Sequence, residues 1–237
     1  MFNSGKIYGI GVGPGDPDLL TVRAVKVLEK VDVVFAACST KNDYSHSFDI
    51  ASGFIRKDCE VVKLGYPMTR DEKVLREAWE KNCEIAYEFL SGGKSAAFLT
   101  LGDPLIYSTF GYMMQTMNRL YPEVEFEVVP GITSFQAAAA KSRQVLVESG
   151  QNLLLTSGVA DPERFAESLG TVDNVVILKA YRNFLELRRT VRDMDKMNVK
   201  FYTRLGMEGE NIYEDINDVP EKTHYLSLML LTSKENG

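Results

Sequence analysis

Two short segments of this chain join glycine, aspartate and proline after an apolar run. One is Gly11-Val12-Gly13-Pro14-Gly15-Asp16-Pro17. The other is Phe98-Leu99-Thr100-Leu101-Gly102-Asp103-Pro104-Leu105-Ile106-Tyr107-Ser108-Thr109. Glycine lets the backbone lie against a ligand with no Cβ between them, and proline fixes φ and withholds an amide. Each aspartate brings a negative charge to its turn. The chemistry such loops offer is recognition by backbone groups and a carboxylate, suited to a neutral or cationic ligand. Gly-Asp-Pro is also ordinary turn chemistry, but two copies after two buried-looking strands point to one pocket built from two strand ends.

A competing reading takes Gly9-Ile10-Gly11-Val12-Gly13-Pro14-Gly15 as a dinucleotide fingerprint, with Asp32 as the acid that holds a ribose. That reading makes the chain a nicotinamide-dependent oxidoreductase of Rossmann type. Against it, Asp16 and Asp18 stand ahead of the helix, where a pyrophosphate needs free amides. A non-catalytic sensor of an adenosyl ligand is a third class.

Other chemistries find less support. His46 and His224 lie far apart in sequence, and Cys38, Cys59 and Cys83 have no C-x-x-C spacing, so no metal site, histidine triad or disulfide framework is expected. A net charge of −6 argues against nucleic acid as a partner, since that affinity rests on Lys and Arg neutralising phosphates. No apolar stretch reaches the roughly 18 residues of a membrane helix, and the expected location is the cytoplasm.

These loops need elements to hold them. Apolar runs at Lys6 to Val12, Val31 to Ala36, Glu60 to Leu64, Ser95 to Thr100 and Val124 to Val129 read as strands. Thr21 to Lys30 reads as a helix, as does a long stretch opened by a capping box at Thr69-Arg70-Asp71-Glu72 and stopped at Gly92-Gly93. Strand and helix alternate, which predicts an α/β fold with a mostly parallel sheet and a ligand site beyond the carboxyl ends of its strands. After the small-residue helix Ser134 to Ala140 the runs shorten: Leu153 to Thr156, Val175 to Leu178, Lys200 to Thr203 and Tyr225 to Leu231. The expected organisation is an N-terminal α/β domain over 1–150 and a C-terminal one over 151–237 with a smaller mixed sheet.

Three segments carry a resemblance. Gly11 to Thr21, Leu101-Gly102-Asp103-Pro104 and Val129-Pro130-Gly131-Ile132-Thr133-Ser134 resemble the signature segments of the tetrapyrrole (corrin/porphyrin) methylases, a likeness that extends over essentially the whole chain. Tyr66-Pro67-Met68, Phe98 to Tyr112 and Phe126 to Ala140 are similar to the branch that methylates carbon 20 of precorrin-2 or cobalt-factor II. Uroporphyrinogen-III C-methyltransferases, the alternative within the family, usually follow Gly-Asp-Pro with a Gly/Arg-rich segment.

The resemblance implies two α/β domains with a ligand cleft between them, a homodimer, S-adenosylmethionine as cofactor and S-adenosylhomocysteine as product. It makes Pro14, Leu101, Gly102, Asp103, Ile106, Thr133 and Ser134 cofactor contacts, and more loosely Leu178 or Lys179 and Gly206. A lysine ammonium beside a sulfonium is repelled, so either Leu178 fills that role or Lys179 points elsewhere. The acceptor carbon must lose a proton after methyl transfer. Tyr107 and Asp16 are candidate general bases because both should border the cleft.

The implied substrate is an anionic tetrapyrrole with many carboxylates, which calls for basic residues. Arg182, Arg188, Arg189 and Arg192 are the densest group, with Arg182, Arg188 and Arg192 the candidate substrate contacts. Asn183 and Glu186 are placed to cap a helix on whose face Arg188 and Arg192 both lie. A solvated helix face is the other reading of that run. Arg23, Lys41, Lys179 and Arg204 are the remaining basic candidates.

Overall fold

The computed structural model of the chain describes residues 5–40, 44–159, 161–192, 194 and 197–234. It divides into two compact units, Met1–Thr133 and Ser134–Gly237.

The first unit holds strands β1 (Lys6–Gly11), β2 (Val33–Ser39), β3 (Glu60–Tyr66), β4 (Ala96–Thr100) and β5 (Glu125–Val129). All pair in parallel, in the order β3-β2-β4-β1-β5. Every residue of β4 is buried, as expected of a central parallel strand covered on both faces. Helix α1 (Val22–Leu28), helix α2 (His46–Ala51), helix α3 (Glu72–Ser91) and helix α4 (Thr109–Leu120) connect them. In α4 the buried residues Phe110, Met113 and Met117 recur at helical spacing. With Cys83, Ala86 and Leu90 of α3 they pack on Ile7, Phe35 and Phe98 of the sheet. A Cβ at Gly9 would fall on the ring of Phe110, so this strand residue stays small to admit the helix.

The topology creates a place for a ligand. From β1 the chain crosses to β2 on one side, whereas from β4 it crosses to β5 on the other, and β1 and β4 are neighbours. Right-handed crossovers then put α1 and α4 on opposite faces. The connections leaving β1 and β4 therefore diverge, a topological switch point, and the carboxyl edge beside it is the position where open parallel sheets bind ligands.

Asp32 lies at the other edge. It precedes β2, and Ser95, which precedes β4, donates both its backbone N–H and its hydroxyl to Asp32 Oδ2, each at 2.8 Å. A ribose acid would have to stand at the carboxyl end of its strand, so the dinucleotide reading fails on geometry. The bonds from Ser95, backbone first, hold the Asp32 carboxyl below its ordinary value of 3.8. A lowered folded pKa means the stabilisation is full above the unfolded value and is lost as pH falls through the folded one. Urea midpoints measured against pH should therefore show wild type losing more stability than Asp32→Asn on acidification below about pH 4; parallel curves would remove this role.

In the second unit, helix α5 (Ser134–Ser142) is followed by β6 (Leu153–Ser157), α6 (Pro162–Leu169), β7 (Asn174–Leu178), α7 (Phe184–Arg192), β8 (Met197–Thr203), β9 (Asn211–Tyr213) and β10 (Ser227–Ser233). The order is β6-β7-β10-β8-β9, with β6 parallel to β7 and β10 antiparallel to both β7 and β8. The sheet is mixed, as the sequence suggests, yet it has five strands like the first and is not smaller by that measure. Side-chain alternation sorts the two faces. Val176, Tyr202, Leu228 and Leu230 meet Ala138 of α5, and Val175, Ile177, Phe201, Met229 and Leu231 meet Phe165, Phe184, Leu187 and Val191 of α6 and α7. The Tyr202 hydroxyl bonds Ser142 Oγ at 2.8 Å. Because α5 covers a face of the second sheet, the division falls at Ser134, not at the boundary near Gly150 drawn from the sequence.

Two local expectations also change. Asp71, not Thr69, caps α3, its Oδ1 accepting from Lys73 N at 2.9 Å and Val74 N at 3.3 Å. The side-chain amide of Asn183 donates to Val159 O at 2.8 Å, and its backbone takes a left-handed φ of 52° ahead of α7. Among the described residues, no helix is long and apolar enough to cross a membrane.

Candidate functional site

In the first unit the loops after β1, β4 and β5 converge. Gly102 N donates to Gly13 O at 2.8 Å and Gly13 N to Gly102 O at 3.4 Å, an antiparallel bridge between the two Gly-Asp-Pro loops. Val12 N donates to Thr100 O at 3.0 Å just before it. The third loop closes on the same spot: Gly131 N donates to Asp103 Oδ2 at 3.1 Å, while Asp103 Oδ1 accepts from Leu105 N at 2.9 Å. Asp103 thus ties its own turn and the loop after β5, a part in the architecture that precedes any contact with a ligand.

Glycine is required here by contact. A Cβ on Gly11 would stand 2.5 Å from Gly102 O and 2.6 Å from Gly131 N, and a Cβ on Gly131 would meet Gly11 C and Cα at 2.8 Å. At Gly102 the demand is conformational, with φ of 65° and no close atom facing the missing Cβ. Gly102 was legible in the sequence as part of a repeated motif, whereas Gly11 and Gly131 are singled out only by the crossing of three loops.

The other residues of this group fall around the junction. Pro14 and Thr133 are buried, Leu101 and Ile106 are half-buried, and Tyr107 is exposed with a left-handed φ of 48°. Asp16 caps a short 3-10 turn, Pro17–Leu19, accepting from Asp18 N at 2.9 Å. Ser108 caps α4 by accepting from Phe110 N and shares a 2.8 Å hydrogen bond with Thr100 Oγ1. Asp16 and Asp103 carry the only formal charges on the segments 11–17, 101–109 and 129–134. A negative lining suits a sulfonium and an ammonium and opposes a pyrophosphate.

In the second unit, Leu178 ends β7 and Lys179 follows with φ of 51°. Gly206, with φ of 72°, gives its amide to Glu210 Oε2 at 2.7 Å, and Glu210 also pairs with Lys141. Thr133 closes the first unit and Ser134 opens the second.

The three candidate arginines do not form a group. Arg182 lies at the carboxyl end of β7, and α7 then runs back about 12 Å along its axis toward the start of β8, which leaves Arg192 at the far edge. Arg188, between them, is held within its own unit: 3.5 Å from Val219 O, 3.8 Å from Glu221 and over the Phe184 ring. Arg188 and Arg192, four residues apart, share a face of α7, while Arg182 stands apart from Arg192 across the length of that helix. Of the remaining basic candidates, Arg23 is paired with Glu127 and Lys41 lies outside the described residues.

A parallel sheet with a β1/β4 switch point, and two Gly-Asp-Pro loops bridged at its carboxyl edge, defines a class, and the family model of the tetrapyrrole (corrin/porphyrin) methylases matches residues 6–219. The chain belongs to that family. It is 32% identical over 217 residues to the cobalt-precorrin-2 C(20)-methyltransferase of Salmonella typhimurium, covering 91% of this chain and 90% of that protein. It is 26% identical over 236 residues to the precorrin-2 C(20)-methyltransferase of a Sinorhizobium species, covering 96% and 95%. Among solved structures, the uroporphyrin-III C-methyltransferase of Thermus thermophilus complexed with S-adenosylhomocysteine superposes with a TM-score of 0.67 at 23% identity, over 96% of this chain and 92% of that one.

Proposed function

We propose that this chain transfers a methyl group from S-adenosylmethionine to carbon 20 of precorrin-2 or cobalt-factor II in corrin-ring synthesis. The observation that carries the reading is the near full-length similarity to C(20)-methyltransferases, on a chain whose ligand-facing loops bear negative charge only.

The residues suit the cofactor. Gly102 and its neighbours offer backbone at close range, Pro14, Leu101 and Ile106 offer apolar contact, and Thr133 and Ser134 offer hydroxyls. When bound, the cofactor supplies an already activated methyl cation equivalent. The protein's task is then to hold the acceptor carbon in line, and positioning of this kind lowers barriers by roughly 7–11 kcal/mol in favourable cases. A base near the carboxyl edge can accept the proton that the acceptor carbon releases; Tyr107 and Asp16 are the candidates there. The same reading has an anionic tetrapyrrole and a second copy of the chain as partners, in the cytoplasm, with no nucleic acid or membrane involved.

Mass spectrometry after incubation with labelled S-adenosylmethionine and either precorrin-2 or cobalt-factor II tests the proposal. One labelled methyl group in the product is expected, and the better substrate reports the metal preference. No incorporation into either, with S-adenosylhomocysteine failing to bind in calorimetry, would overturn it.

A further inference from the structure

The second sheet has its own carboxyl edge, and cations gather along it. Leu178 of β7 pairs with Leu228, and Thr203 of β8 pairs with Ser227, so β7 and β8 both end where β10 begins. Lys179 and Arg204 directly follow those two strands. They flank β10, which puts their backbones about 10 Å apart, two strand spacings. Arg182 lies three residues beyond Lys179.

These cations lack the partners an acidic protein should have supplied. Among the described residues no ion pair involves Lys179, Arg182 or Arg204, although the chain carries 33 acidic residues. The Nε of Arg204 is buried without a hydrogen-bond partner, an arrangement rare in native structures. Burial, and then the charge of Arg182, push the Lys179 ammonium below its usual pKa, with no carboxylate counteracting them.

The backbone points the same way. The parallel strands β6, β7 and β8 each exit through a left-handed residue: Gly158 at 68°, Lys179 at 51° and Arg204 at 53°. Glycine serves the first without cost. Long basic side chains at the other two accept strain that glycine or asparagine would avoid. Beside them, Tyr181 and Tyr225 set their rings 5.4 Å apart, and Arg182 lies over the Tyr181 ring with its Nε 3.2 Å from that hydroxyl.

We infer that Lys179, Arg182 and Arg204 form an anion site that receives carboxylates at the rim of a conjugated macrocycle, with Tyr181 and Tyr225 against its face. The inference rests on the tetrapyrrole reading of the substrate. It replaces the helix arginines Arg188 and Arg192 with residues of the sheet edge.

The test uses sirohydrochlorin, the oxidised, metal-free relative of precorrin-2 with the same side-chain carboxylates, titrated by fluorescence without turnover. Lys179→Gln combined with Arg204→Gln should weaken its binding by about tenfold or more, since charge-assisted hydrogen bonds are lost. With Leu178, and not Lys179, taking the cofactor contact, S-adenosylhomocysteine affinity should stay within about twofold, Lys179→Arg should retain binding, and Arg189→Gln on the solvent face of α7 should change nothing. Removing unpaired cations should leave the Tm of the free protein unchanged or raised. For wild type, raising the salt concentration should weaken the same binding, a measurement that does not depend on a variant folding.

Unchanged sirohydrochlorin affinity in the double variant, salt-independent binding by wild type, or an equal loss of S-adenosylhomocysteine binding would overturn the inference. The last outcome would assign the cations to the cofactor's carboxylate. Wild type that binds sirohydrochlorin through these residues yet methylates neither precorrin-2 nor cobalt-factor II would sink the proposed reaction and leave the anion site standing.

Discussion

Replacing Gly131 with alanine is expected to cost about 3 kcal/mol or more of stability and to abolish measurable binding of S-adenosylhomocysteine. Overpacking in a core usually costs about 1–3 kcal/mol because side chains can shift. Here the new methyl would meet the backbone of Gly11 at 2.8 Å and the Gly102 carbonyl oxygen closer still, and neither can rotate away. Relief requires parting the loops after β1, β4 and β5, to which the proposed function also assigns the cofactor. Gly102→Ala gives the contrast. Its nearest neighbour would be Thr133 Cα at 3.8 Å, so it pays only the left-handed strain of about 1–2 kcal/mol. Urea unfolding with calorimetry on both variants checks the order. A Gly131→Ala protein with wild-type midpoint and affinity would show that the three loops do not meet as described.

Asp103→Ala should lower both stability and cofactor affinity. The carboxylate accepts from Leu105 N and Gly131 N, and bonds to a charged acceptor contribute roughly 1.5–3 kcal/mol each. Water can replace part of that at the exposed Leu105 turn, so a loss of about 2 kcal/mol is expected, with S-adenosylhomocysteine binding weakened about tenfold as the loop after β5 comes loose. An aspartate that served the ligand alone would lose affinity with the unfolding midpoint unchanged. Observing that pattern would return Asp103 to the direct contact suggested by its motif.

The alternation of apolar runs and amphipathic stretches determined the first sheet, because parallel strands buried on both faces are written as continuous hydrophobic segments. Lys6 to Val12 and Ser95 to Thr100 were readable for that reason, and so were the two Gly-Asp-Pro loops at their ends. The long helix was readable from its bounds, a capping box and Gly92-Gly93, although its cap shifted to Asp71, since Thr69 and Asp71 both offer the same capping chemistry.

What the sequence could not contain was which strand lies beside which. The order β3-β2-β4-β1-β5 makes β1 and β4 neighbours with diverging connections, and only that adjacency turns two separate turns into one bridge, while Asp32 stands at the wrong edge for a dinucleotide because β2 begins one residue after it. Local spacing set Arg188 and Arg192 on one helix face, but the direction in which α7 runs carried Arg192 away from Arg182. Pairing of β7 and β8 with β10 brought Lys179 and Arg204, 25 positions apart in the chain, to a common edge. Periodicity records which side of an element is buried, a local property; the register between strands distant in sequence is settled by packing, and in this protein it is the register that assembles the charges and glycines of the sites.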